Sequence, residues 1–265
     1  MQNNISNNML TNILNNKLKY IEKLKANAKQ NIFRDALIKD NNKLNIIAEI
    51  KRASPSKGKI SDITNPAELA LNYQKLGASA ISVLTDKTGF NGDISDLIKV
   101  KQALLNNKDY QYCPILRKDF ILDKSQILES LKIGADAILL ITSILKDKTK
   151  SLYKYTQELG LEVLIETHTK DEFLYALSLR SPIIGINNRN LNTFELNPEH
   201  AINLVNDNQI KIKLNELKNT ENYAPILITE SGITHKKQLD QAYKNGFNCA
   251  LIGSSLVNNP DFLRD

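Results

Sequence analysis

Eight short apolar runs, separated by longer amphipathic stretches, restrict this sequence more than any other feature. They lie at 45–50, 80–84, 113–116, 137–141, 162–165, 183–186, 226–228 and 249–252. Each is nearly continuous in apolar residues rather than alternating, the pattern of strands buried on both faces of a parallel sheet. The segments between them, 66–76, 94–105, 124–133, 147–159, 170–179, 198–205 and 236–245, carry helical spacing. Pro66 and Pro198 suit a first helical turn, where the missing N–H costs nothing. Gly77, Gly134, Gly160 and Gly246 fall where a helix must stop before the next strand. Strand–helix repetition of this count in 265 residues predicts an α/β fold, a closed (β/α)8 TIM barrel. An open doubly wound sheet is the alternative. It would carry a glycine-rich fingerprint after its first strand, where this chain has Glu49-Ile50-Lys51-Arg52.

Residues 1–44 precede the first strand, and Ile5, Met9, Ile13, Leu14, Leu18, Ile21 and Leu24 recur at helical spacing. They predict a helical extension packed on the barrel, within one domain spanning 1–265. The charged segment 206–223 reads as a helix with a mobile loop. Apolar content of 42% with 24% charge excludes a disordered or fibrous chain. No apolar run approaches the roughly 18 residues of a membrane span. The opening MQNNISNNML lacks the basic-then-apolar order of a secretory signal. Cys113 and Cys249 lie in apolar runs and read as buried thiols in a reducing cytoplasm. The net charge of +6 comes from lysines and arginines scattered over most helical segments. A nucleic-acid surface would cluster them among aromatics; an anionic small-molecule substrate suits the scatter better. A cytoplasmic monomer without nucleic-acid or membrane partners is expected.

In a parallel barrel, catalytic groups belong at the C-terminal strand ends, and polar residues gather there repeatedly. Strand one runs into Glu49-Ile50-Lys51-Arg52-Ala53-Ser54, strand three into Arg117-Lys118-Asp119-Phe120, and strand five into Glu166-Thr167-His168. Strand six runs into Asn187-Asn188-Arg189, and strand seven into Glu230-Ser231-Gly232. Glu49 and Lys51, two apart, share a face and can both project toward the barrel axis. A structural ion-pair network would account for such a collection too. The number of different strands contributing argues for a site, because buried charges are costly unless paired. Ser231-Gly232 and Gly253-Ser254-Ser255 follow strands seven and eight, the usual phosphate position of this fold. Glycine lets backbone approach an anion; ordinary tight turns are the alternative. His168, His200 and His235 show no metal-ligand spacing, and His168 reads as a surface loop residue. No metal site and no Ser-His-Asp or Cys-His constellation is predicted.

Taken together, the motifs resemble those of indole-3-glycerol-phosphate synthases. They are Ala-Glu-Ile-Lys-Arg-Ala-Ser-Pro-Ser at 48–56, Ser82-Val83-Leu84-Thr85 with Phe90-Asn91-Gly92, Leu-Arg-Lys-Asp-Phe at 116–120 and Gly-Ala-Asp-Ala-Ile-Leu-Leu-Ile at 134–141. Ile-Gly-Ile-Asn-Asn-Arg at 184–189, Glu-Ser-Gly-Ile at 230–233 and Leu-Ile-Gly-Ser-Ser-Leu at 251–256 complete the set. The likeness runs from about residue 5 to the end. It implies conversion of 1-(2-carboxyphenylamino)-1-deoxyribulose 5-phosphate to indole-3-glycerol phosphate, carbon dioxide and water, in tryptophan biosynthesis, without metal or organic cofactor. It implies Lys118 as the acid at the ketone, with Lys51 and Glu166 serving dehydration; the division between the two lysines stays open. Glu49 and Glu230 would hold the lysines and substrate hydroxyls, and Asn187 and Arg189 would face the ring and carboxylate. Ser54, Phe120 and Ser231 match substrate-contacting positions. Gly232, Gly253 and Ser254, with Lys51 nearby, match the phosphate cradle. Gly89 stands where relatives have a second aromatic, and Asn190 where Asp is usual. Another phosphosugar barrel such as phosphoribosylanthranilate isomerase lacks this set of two lysines and three glutamates. A non-catalytic ligand-binding barrel should have lost one of Lys51, Lys118 or Glu166.

Overall fold

A computed structural model describes residues 31–56, 58–191 and 193–263, with Asn16 alone before them. All eight apolar runs form strands: β1 (Asn45–Ile50), β2 (Ala80–Leu84), β3 (Ile115–Lys118), β4 (Ala137–Ile141), β5 (Glu162–Thr167), β6 (Ile183–Asn187), β7 (Ile226–Glu230) and β8 (Cys249–Ile252). Neighbours pair in parallel, and β1 pairs with both β2 (Ile47 opposite Ala80) and β8 (Asn45 opposite Cys249). The sheet therefore closes on itself as a (β/α)8 barrel, and the open-sheet alternative falls away.

Strand parity sorts the side chains, since residues two apart share a face. Ala48, Ile50, Ile81, Val83, Ile115 and Ile138 belong to the layer between the sheet and its helices. Ile47, Leu116, Leu139, Leu164, Ile228 and Leu251 belong to a second cluster that fills the barrel interior. Helix Ile32–Leu37 contributes Phe33 and Leu37 to that interior cluster, both fully buried, and so plugs the barrel at the end where the strands begin.

The helices stop and start for local reasons. Gly77, Gly134, Gly160 and Gly246 have φ of 97°, 86°, 76° and 86°, the left-handed region that glycine enters freely. Asn65 caps the helix that Pro66 opens, accepting from the Glu68 N–H. The 206–223 segment departs from expectation. It is one helix, Asn208–Glu221, capped by Asp207 and ended by Asn222 at φ 49°, with Ile210 and Leu217 buried against the barrel. Pro198 precedes its helix, His200–Val205, rather than opening it. The predicted helical spacing from Ile5 to Leu24 lies outside the described residues. Among the described residues no helix is long and apolar enough to cross a membrane, and Cys113 and Cys249 are free and buried.

Candidate active site

Strands β3, β5, β6 and β7 outrun their apolar cores by one or two residues, and those extra positions are polar. Lys118, Glu166, Asn187 and Glu230 are thus held by the strand ladder itself and not by loops. Their parity matches Leu116, Leu164 and Ile228, so they form a polar layer directly above the apolar interior. The Lys118 Nζ lies 2.9 Å from Glu166 Oε2 and 3.2 Å from Glu230 Oε2. Asn187 Nδ2 donates to Glu166 Oε1 at 3.1 Å. On the opposite side Lys51 Nζ pairs with Glu49 Oε1 at 2.6 Å. Every other predicted position, Ser54, Phe120, Arg189, Ser231, Gly232, Gly253 and Ser254, lines the same cavity.

Charges this deep set one another's state. Burial alone would lower the Lys118 pKa, but Glu166, Glu230 and Glu49 outweigh it and keep the ammonium firmly charged. Burial would raise the Glu166 carboxyl; Lys118 and His168 outweigh that and hold it well below the usual range. Glu230 goes the other way, pushed up by burial and by the neighbouring Glu166 charge, against the pull of Lys118. Its Oε1 is buried without a hydrogen-bond partner among the described residues.

Two glycines make room for this layer. A Cβ on Gly185 would collide with Glu230 Oε1, and a Cβ on Gly253 would lie 2.6 Å from Glu49 Oε1 and 3.1 Å from Lys51 Nζ. Gly253, expected only to approach phosphate, therefore also leaves space for the Glu49–Lys51 pair. Gly185 was given no role; a glycine inside an apolar strand is the signal that could have found it.

The loops are tied down by side chains that sequence reading passed over. Arg52 makes a bidentate pair with Asp96 and donates to the Ile63 carbonyl, anchoring the short hairpin of Ala53–Ser54 with Gly58–Lys59 that presents Ser54. Arg117 is 2% exposed and donates to Thr85 Oγ1, Ser130 Oγ and Asp119 Oδ2. Asp119 in turn accepts from Thr85 and from the Phe120 N–H. This fixes the turn after Lys118, where the Phe120 ring lies 6.2 Å from Phe90. The loop that carries Gly89 forms the helix Lys87–Phe90, and the Gly89 N–H donates to Asp86 Oδ2 at 2.6 Å. Asn190 does what a carboxylate would do at its turn, accepting from the Thr193 N–H. The Arg189 N–H donates to Asn187 Oδ1, which turns the Asn187 amide toward Glu166. Buried Asn188 donates to the Ser231 carbonyl and holds the turn in which Ser231 and Gly232 both have positive φ, 66° and 83°.

His168 is a correction. It is no surface loop residue: its side chain is 11% exposed, with Nε2 3.3 Å from Glu166 Oε1 and Nδ1 3.5 Å from Glu172 Oε2.

A closed parallel barrel whose strand ends converge two ammoniums and three carboxylates on one cavity defines a (β/α)8-barrel enzyme of acid–base chemistry. A model of the indole-3-glycerol phosphate synthase family matches residues 3–265. The chain belongs to that family, and is thereby a carboxy-lyase of tryptophan biosynthesis with a phosphorylated small-molecule substrate. It is 40% identical over 261 residues to the indole-3-glycerol phosphate synthase of Halalkalibacterium halodurans, covering 94% of this chain and 91% of that one. To the enzyme of the same name from Endomicrobium trichonymphae it is 42% identical over 236 residues, covering 88% and 83%. Among solved structures, N-acetylmannosamine-6-phosphate 2-epimerase from Clostridium perfringens has a TM-score of 0.57 at 15% identity, covering 80% of this chain and 87% of that one. That likeness is one of fold alone.

Proposed function

We propose that the residues of this cavity ring-close, decarboxylate and dehydrate 1-(2-carboxyphenylamino)-1-deoxyribulose 5-phosphate, in the roles that the family resemblance implies and the pairings above support. The observation that carries this reading is the Lys118 ammonium held between Glu166 and Glu230 at the cavity floor. As the ring carbon bearing the carboxylate attacks the ketone, Lys118 gives its proton to the ketone oxygen, and a C–C bond forms. Carbon dioxide then leaves, its bonding pair restoring the aromatic ring. Loss of the new hydroxyl as water needs a proton at oxygen and a base at the adjacent carbon. Lys51 supplies the first and Glu166, kept ionised by its neighbours, the second. Glu49 orients Lys51, and Glu230 Oε1, without a partner among the described residues, accepts from a substrate hydroxyl.

Asn187 and Arg189 face the aromatic ring and its carboxylate, and Ser54, Phe120 and Ser231 contact the substrate beside them. The phosphate lies against Gly232, Gly253 and Ser254 near Lys51. What supports that seat is the positive-φ pair Ser231–Gly232 beside the Gly253 turn on one wall of the cavity. The chain acts as one barrel domain with residues 1–44 as its extension, a cytoplasmic monomer that binds neither nucleic acid nor membrane.

Turnover of authentic substrate by the purified protein tests the assignment. We expect a fluorescent indole product at a rate a chelator does not change. Lys118→Ala should lose at least about a hundredfold in kcat while a phosphorylated substrate analogue still binds. Absence of indole product overturns the assignment; loss of analogue binding in Lys118→Ala makes Lys118 an anchor and not the acid.

A further inference from the structure

The Glu166 carboxylate is gripped from two sides. From within the barrel, Lys118 takes Oε2 and Asn187 takes Oε1. From the β5 loop, His168 closes on Oε1, with its Nε2 3.3 Å away. The backbone of His168 is hydrogen-bonded on both sides, while its buried ring nitrogens make no hydrogen bond among the described residues and meet two carboxylates at ion-pair distance. Its other ring nitrogen faces Glu172 Oε2 at 3.5 Å, and the same Glu172 oxygen accepts the His168 N–H at 2.7 Å. Its carbonyl accepts from His200 Nε2 at 2.7 Å, across the loop from helix His200–Val205. Glu172 lies in the first turn of helix Lys170–Ser178, two positions after Lys170, whose own ammonium is paired with Asp207. The result is a chain of alternating charge, Lys118–Glu166–His168–Glu172, running from the cavity floor outward to a helix. A solvated loop histidine would need none of these partners.

We propose that His168 is a positioning residue for Glu166, its imidazolium clamping the carboxylate from behind while Glu172 anchors the imidazole. The inference rests on the reading of Glu166 as the base. The clamp does two things. It fixes the Glu166 rotamer, so that the oxygen shared with Lys118 keeps its aim into the cavity. It also keeps the carboxylate ionised in a place where burial favours its neutral form.

The charge on the imidazole has a pH range. Burial would lower the His168 pKa, but Glu166 and Glu172 outweigh it and push it up to about 9. A raised histidine pKa means the pairing is complete below the ordinary imidazole value of 6.5 and is lost as pH rises through about 9. The other groups facing this chain are Glu230 and Glu49 across Lys118, and both remain in every variant that follows.

The test is kcat and KM against pH for the full chain and for His168→Gln, Glu172→Gln and Glu166→Gln, each normalised to folded enzyme. In His168→Gln we expect kcat to fall roughly tenfold with KM within about twofold, and the acid limb of kcat to move up toward neutrality. In Glu172→Gln, where the imidazole stays but loses its outer anchor, the alkaline fall in kcat should move down from about pH 9 toward 6.5. A histidine that served only folding would lower yield or Tm and leave both limbs in place. Superimposable pH profiles for wild type and His168→Gln overturn the proposal. If His168→Gln does not fold, an unmoved alkaline limb in Glu172→Gln overturns it equally. Glu166→Gln separates the two readings: wild-type kcat there removes Glu166 as the base, whatever His168 does.

Discussion

A methyl group on Gly185 would meet Glu230 Oε1 before any other atom, and Leu164 Cδ1 next at 3.1 Å. A side-chain oxygen can move aside when it has somewhere to go. Glu230 does not, since it is 1% exposed and its second oxygen is bound to Lys118. Gly185→Ala should still fold, because alanine fits a strand backbone, at an overpacking cost of about 1–3 kcal/mol. A second cost falls on chemistry: a carboxylate displaced by about 1 Å is enough for about a hundredfold loss in kcat. Thermal unfolding and kcat measured on one preparation check this. An active Gly185→Ala would mean that Glu230 has slack the packing does not show.

The six-residue helix Ile32–Leu37 is far too short to stand alone. Its N-cap position, Asn31, makes no side-chain cap bond. The cap comes instead from β5, where Glu162 accepts from the N–H groups of Phe33 at 2.6 Å and Arg34 at 3.0 Å. Glu162→Ala should cost about 1–3 kcal/mol of stability, as the loss of buried acceptors does, and leave kcat unchanged because the site is at the other end of the barrel. Burial raises the Glu162 carboxyl to about 6 against the pull of those two N–H groups. Between about 4.5 and 6 the folded chain then holds a proton the unfolded chain releases, so this contribution is largest below 4.5 and shrinks as pH rises through 6. Urea unfolding at pH 4.5 and at pH 7 should show the larger difference between wild type and variant at the lower pH. This contact also marks what sequence could and could not deliver. Apolar runs located every barrel strand because burial on both faces needs no partner to be recognised, and they missed the hairpin strands Ala53–Ser54 and Gly58–Lys59, which are not buried. They ended β3, β5, β6 and β7 early, since Lys118, Glu166, Asn187 and Glu230 continue a strand without being apolar. The motifs brought those residues into view as site candidates. His168, Glu162 and Gly185 escaped, because each acts through a partner on a different element. The same holds for the turn before Ala201, whose N–H is taken up by the buried Asn188.

The barrel interior as a whole is two media stacked along one axis: an apolar half closed by Phe33 and Leu37, and a charged half open to the cavity. The charged half works against stability. Removing the cation alone should be worse than removing all the charge, because two buried carboxylates would be left facing each other. We expect Lys118→Met to destabilise by about 3–5 kcal/mol, and the triple variant Lys118→Met, Glu166→Leu, Glu230→Leu to be as stable as wild type or more so by about 1–4 kcal/mol. Both should be inactive. The pH dependence should distinguish them. In Lys118→Met the carboxyls of Glu166 and Glu230 lose the ammonium that opposed their burial, so the lowered pKa of Glu166 rises and that of Glu230, already raised, rises further. The folded state then binds more protons, and the lost stability returns as pH falls toward the unfolded carboxylate range. The triple variant has lost both of those carboxyls and should show no such recovery. Unfolding curves at pH 5 and 7 decide it. A Lys118→Met protein as stable as wild type at pH 7 would show that water reaches the two carboxylates and that the charged half of the barrel is wetter than its 1% exposures imply.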